Sequence, residues 1–107
     1  MNSRVEKVEL DAAEDAAILD VDCDGAVGLQ LTGTWVGTVS FEASLDGATF
    51  VAFNMVPSNS ATAASSATGN GCWSANCGGY WRVRARMSAY TSGTAVAFLR
   101  GASSGGK

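Results

Sequence analysis

Histidine is absent from this chain of 107 residues, which removes the commonest general base and imidazole metal ligand. Ser-His-Asp and Cys-His nucleophile systems, the HExxH zinc site and histidine-bearing zinc fingers are thereby excluded. Three cysteines fall short of the four ligands a structural zinc takes, and their odd number argues against a disulfide framework. No carboxylate follows Asp46, so a pair of acid and base carboxylates would have to come wholly from the first half of the chain. These absences predict no enzyme, no cofactor and no metal. Long apolar runs are also missing: no stretch approaches the ~18 residues of a membrane-spanning helix. MNSRVEKVELDAAED lacks the apolar centre of a secretory signal. The expectation is a soluble single domain, made in a cytosol with its thiols reduced and having no membrane partner.

Charge is present, but divided. Residues 1–46 hold all ten carboxylates against Arg4 and Lys7, a net of −8, whereas residues 47–107 hold Arg82, Arg84, Arg86, Arg100 and Lys107, a net of +5. Opposite halves can pair within one molecule or between molecules. The acidic pI of about 4.6 disfavours a nucleic-acid partner.

Alternation of apolar and polar residues predicts strands through most of the chain. Val27, Leu29 and Leu31 alternate with Gly28, Gln30 and Thr32, and Leu19, Val21 and Cys23 with Asp20, Asp22 and Asp24. Trp35 to Ser44 forms a longer strand, Asp46-Gly47 a two-residue type I′ hairpin turn, and Thr49 to Val56 the return strand, ended by Pro57. Residues 58–71, SNSATAASSATGNG, read as a long surface loop. Cys72 to Ser74 can form a short strand, Tyr80 to Tyr90 a clear one, Thr91 to Thr94 a tight turn and Ala95 to Arg100 the last strand. DAAEDAA supports at most one helical turn. The pattern predicts an all-β fold, a single antiparallel β-sandwich or jelly-roll-like domain of about seven or eight strands. Its expected divisions are an acidic extended arm over 1–16, the sandwich over 17–100 and a flexible tail over 101–107. Leu19, Leu29, Leu31, Trp35, Val39, Phe41, Phe53, Trp81, Val83, Met87 and Phe98 are the predicted core.

Three features could carry chemistry. DVDCDG (20–25) resembles the opening of a calcium loop, but the twelfth position is Leu31 rather than a bidentate Glu and strands flank it. An acidic surface entering a turn is the better expectation. Arg82, Arg84 and Arg86 place three guanidinium groups on one strand face about 7 Å apart. They suit either a carboxylate-rich partner or cross-strand pairing with Asp20, Asp22, Glu42 or the acidic arm. Trp73, Tyr80 and Tyr90 could form a sugar platform or pack into the protein. Cys72 and Cys77 could close a small loop or stay reduced, and Cys23 between two aspartates is a poor nucleophile.

VGLQLTGTWVGTVSFEASLDGATFVAFNMVPSN and, after the small-residue loop, GCWSANCGGYWRVRARMSAYTSGTAVAFLR resemble small β-sandwich virion proteins and modules of tailed bacteriophages. The resemblance covers residues 27–100. It does not include Cys72 and Cys77 or the acidic segment 1–24. It implies a virion structural protein with no enzymatic activity, made in the host cytoplasm. The most direct form is a capsid decoration (cement) protein on the head exterior, binding the major capsid protein as a homo-oligomer, dimer or trimer. A receptor- or carbohydrate-binding module of a tail or fibre is the alternative, with Trp73, Tyr80 and the 58–71 loop as its surface. The candidate interface comprises Arg4, Glu6, Glu9 and Asp11 in the arm, Arg82, Arg84 and Arg86 in the stripe, and Trp73 and Tyr80.

Overall fold

A computed structural model describes residues 3–21 and 25–102, with the side chains of residues 3 and 4 excluded. Two very long strands organise the chain: β3, Ala26–Ser44, and β8, Arg82–Ala102. They pair antiparallel from Ala26↔Ala102 to Ser44↔Arg82. The remaining strands are β1 (Ser3–Leu10), β2 (Ala16–Asp20), β4 (Val51–Ala52), β5 (Val56–Pro57), β6 (Ser66–Ala67) and β7 (Gly71–Asn76). All belong to one antiparallel sheet with the path β1-β8-β3-β7-β5. β2 lies on the other half of β8, while β4 and β6 lie on the other half of β3. The fold is all-β and sandwich-like, as its alternation predicts.

The sandwich comes from folding this one sheet on itself. Leu29 and Phe41 are both on β3, and twelve residues of straight strand would hold them about 40 Å apart. Yet the Phe41 ring lies 5.4 Å from that of Trp73, whose residue pairs with Leu29. The bend falls where β3 and β8 carry Gly33 and Gly93, at φ 100° and 85°. Two register shifts, between Val36 and Gly37 and between Thr38 and Val39, leave Thr91 and Ser88 as extra residues on β8. Bulges of this kind bend the bulged strand and increase its twist. The Gly93 backbone also packs so closely on Thr34 that a Cβ would collide with its carbonyl oxygen. Leu10, Leu29, Leu31 and Leu99 from one half then meet Leu19, Val39, Phe41, Val83 and Met87 from the other in a single core, closed by Phe53 and Met55.

Several expectations are corrected by this geometry. The strands expected over 27–32 and 35–44 are one strand. So are those expected over 80–90 and 95–100: the chain bends at 91–94 without reversing. The acidic arm is extended but not detached, because Ser3–Leu10 pairs with β8 as an outer strand and buries Leu10. DAAEDAA, by contrast, is a turn linking two strands, within the single turn expected of it. Its turn interrupts the outer strand, the Glu14 N–H donating to the Met87 carbonyl and the Met87 N–H to that of Asp15. The Asp46-Gly47 hairpin exists, but Ala43 pairs with Val51, so the connection is longer than two residues. Only Gly47 has positive φ, which excludes type I′. The 58–71 segment is tied to the sheet through β6 and the Met55–Ala64 bridge. Pro57 sits in the outermost strand β5, where its missing N–H breaks no central ladder. Gly101 and Ala102, expected in the tail, complete β8; residues 103–107 lie outside the described residues.

Two predicted core residues lie elsewhere. Trp81 is 40% exposed because it precedes β8, beyond the last core layer, with its ring against Gly47. Phe98 faces outward because Ala95, Ala97 and Leu99 are the buried set on that stretch. Trp35 is half-buried against the core edge, and its Nε1–H donates to Asn70 Oδ1 at 2.7 Å.

Candidate interaction surfaces

On the outer face of the β2-β8-β3 half, strand alternation lines up Arg82, Arg84 and Arg86 between the acidic residues of the neighbouring strands. Arg82 Nε donates to Asp20 Oδ1 at 2.7 Å and Arg84 Nε to Glu42 Oε1 at 2.6 Å. Arg86 reaches Glu42 through Nε at 3.1 Å and Nη2 at 2.9 Å, and Glu14 through Nη1 at 3.1 Å. Three cations thus face three carboxylates of the same chain, and the stripe is a neutral cross-strand network rather than an open basic face. Asp22, also anticipated as a partner, lies outside the described residues, as do Cys23 and Asp24 of the calcium-like run. Among the described residues no group of three potential ligands could hold a metal ion.

Glu42 is the centre of the network, its side chain only 14% exposed. The hydrogen bond from Arg86 holds its carboxyl below the usual carboxylate range despite the opposing effect of burial, with Arg84 adding to the shift. Reciprocally, Glu42 raises the Arg86 pKa. The Arg84 guanidinium stacks over Phe50 at 4.0 Å and that of Arg82 over Trp81 at 4.8 Å.

One end of the domain presents a different surface. The Asp46 carboxylate accepts the backbone N–H groups of Thr49 and Ala48 and the Ser44 hydroxyl, while Ser44 Oγ accepts the Gly47 N–H. These bonds pull the Asp46 pKa down to about 2, so the loop is held together by a permanent anion near neutral pH. The rigid loop projects Leu45, 69% exposed, beside Val51 at 57% and a shallow depression of about 290 Å³ also lined by Thr49 and Tyr80. Clustered exposed apolar side chains on an ordered loop are the usual mark of a contact surface. No sequence signal singled out Leu45, because its exposure follows from the loop hydrogen bonds.

The other anticipated residues are dispersed. Trp73 packs inward on Phe41, and Tyr80 edge-on against Phe53 at 5.4 Å. Tyr90 lies at the bend, its hydroxyl donating to the Gly93 carbonyl. No ring contact joins these three among the described residues, so they form no common platform. Cys72 is exposed and Cys77 buried, and no disulfide joins them. Five residues of extended chain hold them about 16 Å apart, too far for a bridge. Glu6, Glu9 and Asp11 are exposed along β1 and the following turn, while the Arg4 side chain lies outside the described residues.

No protein-family model and no curated protein matches the sequence. Among solved structures, the SPBc2 prophage-derived protein YomS superposes with a TM-score of 0.76 at 13% identity, covering 95% of this chain and 96% of that one. The PBSX exported protein XepA superposes with a TM-score of 0.77 at 21% identity over 94% of this chain. The chain spans only 38% of the XepA chain. At these identities the likeness is one of fold: this chain shares its architecture with prophage-encoded proteins.

Proposed function

We propose that this chain is a non-enzymatic structural protein of a tailed-phage virion, a decoration protein that stabilises the head by binding its exterior. The observation that carries this reading is the ordered apolar end, where exposed Leu45 and Val51 line a depression with Thr49 and Tyr80, on a fold shared over nearly its whole length with a prophage-derived protein. A preorganised loop loses little freedom on docking, so its exposed leucine can act as an anchor. Binding only the assembled shell stabilises that shell by mass action. The partner is the major capsid protein, and a homo-oligomer of this chain would multiply the contact. The alternative, a tail or fibre receptor module, has less support, since Trp73 and Tyr80 pack into the protein.

Leu45→Lys carries the test. It leaves the core intact and is expected to abolish copurification with virions and lower the temperature at which heads release DNA. Full occupancy by Leu45→Lys, or localisation of the protein to the tail in images of the particle, would refute the reading.

A further inference from the structure

Among the described residues the sheet has two unlike borders. One is broken into pieces: β5 and, on the other half, β4 and β6 are two residues each, and β5 ends at Pro57, which has no N–H to offer. Short strands and proline are the usual protection of a sheet border against other chains. The opposite border begins with β1, eight residues that pair with β8 in one unbroken register from Ser3↔Ala102 to Leu10↔Ala95. It holds no proline, no glycine and no bulge. Its second side pairs with no described strand, so every other residue points its backbone N–H and C=O outward. Such a border can accept another strand.

The charges of β1 indicate which strand that is. Glu6, Lys7 and Glu9 are exposed and make no ion pair with other described residues. The ladder arginines, by contrast, each hold a carboxylate of the same chain. A border defended by repulsion would carry charge of one sign, whereas this one carries both signs within four residues. It can complement an antiparallel copy of itself.

Antiparallel pairing sets opposed side chains on the same face, so a two-fold axis between two copies of β1 must put one residue opposite itself. An axis at Glu6, Lys7 or Glu9 would oppose like charges, which is destabilising. An axis at Val5 would lay the valine pair on the solvent face, in the row of exposed Arg100. Val8 differs on both counts. It lies in the row of buried Ala97 and packs against the core, so a Val8 pair continues the apolar layer across the seam. The same register sets Lys7 of each copy opposite Glu9 of the other, two cross-strand ion pairs on the outer face. A head-to-tail contact would instead lay β1 against β5, which offers only two residues, one of them proline.

We infer that two copies of this chain associate through β1, antiparallel about a two-fold axis at Val8, joining their sheets into one. An isologous contact of this kind closes at two copies. It uses neither Leu45 nor the virion reading.

Light scattering of the full chain over a range of concentration is expected to show a monomer-dimer equilibrium. Lys7→Glu and Glu9→Lys each replace two attractions by two repulsions and should weaken association about tenfold or more. Both side chains are exposed, so melts of the dilute protein should not change. Mixed in equal amounts, the two variants should pair with each other, because every Glu then meets a Lys. Residues opposite each other in an antiparallel pair have Cα atoms about 4.5–5.5 Å apart, within disulfide reach. In a Cys72→Ser background, Val8→Cys should therefore cross-link under mild oxidation through position 8 of both copies, read by mass spectrometry, and Val5→Cys should not. A chain that stays monomeric, a mixture no better associated than either variant alone, cross-linking through Val5→Cys instead of Val8→Cys, or a ring of more than two copies would overturn the inference. Loss of virion attachment in Leu45→Lys would leave it untouched.

Discussion

Replacing Glu42 by Gln tests whether the charged ladder is a structural element. The substitution keeps side-chain volume but removes the carboxylate that accepts three guanidinium hydrogen bonds of 2.6, 3.1 and 2.9 Å. Arg84 and Arg86 are then left 25% and 23% exposed with their main partner gone. Removing one partner of a fully buried pair costs about 3–5 kcal/mol, and of an exposed pair about 0–1. Partial exposure, and the contact Arg86 keeps with Glu14, place this case near 2 kcal/mol, a fall in Tm of roughly 8–10 °C for a domain of this size. Glu14→Gln is the internal control, because Glu14 is 68% exposed and its loss should lower Tm by about 2 °C or less. The Glu42 contribution depends on pH in a definite direction. Its folded pKa is lowered, so the stabilisation is complete above the ordinary value of 4.5 and is lost as pH falls through the lowered folded value. Thermal melts of the wild type and Glu42→Gln should therefore differ fully at neutral pH and converge in acid. The difference should largely survive about 1 M salt, since partly buried pairs are screened less than exposed ones. A Glu42→Gln melt no lower than that of Glu14→Gln, or a gap that vanishes in salt, would show that the ladder is only a solvated face.

Two further outcomes follow from the loop and the bend. With a folded pKa of about 2 against an ordinary 3.8, Asp46 stabilises the fold above 3.8 and loses that contribution as pH drops toward 2. An NMR titration of its carboxyl should place the midpoint near 2, and Asp46→Asn should flatten stability over that acid range; a midpoint close to 3.8 would contradict the loop hydrogen bonds. Gly93→Ala forces a left-handed φ on an alanine and drives its methyl into the Thr34 carbonyl, costing about 3 kcal/mol or more in urea unfolding. A loss below about 1 kcal/mol would mean that the bend does not depend on this glycine.

Much of the secondary structure was legible because alternation is a local property. Leu29, Leu31, Val39, Phe41, Val83 and Met87 are buried as their period predicts, and a two-residue repeat on a sheet with one buried face leaves little choice. Errors fell where a local signal has two meanings. Thr91-Ser92-Gly93-Thr94 has turn composition, yet a positive-φ glycine serves equally well inside a bent strand, and only the pairing of Trp35 with Gly93 distinguishes them. Asp46-Gly47 carries the short-hairpin signal, but the Asp46 carboxylate builds a longer loop by binding backbone N–H groups.

The sites divide in the same way. Absent histidine and the absence of any Asp or Glu after Asp46 restrict the available chemistry without any structure, since chemistry requires the group to be present. The opposite charges of the two halves likewise foretold that Arg82, Arg84 and Arg86 could meet Asp20 and Glu42. Whether they meet inside one molecule was a question of register between strands more than forty residues apart in sequence, and periodicity says nothing about register across such distances. Folding one sheet back on itself matched Arg82, Arg84 and Arg86 with internal carboxylates, turned Trp73 and Tyr80 toward the core, and left Leu45 exposed. Sequence by itself determined an all-β chain and the kinds of groups it carries. The tertiary structure decided which of those groups are engaged internally and which remain open to a partner, because that depends on distances that only long-range pairing sets.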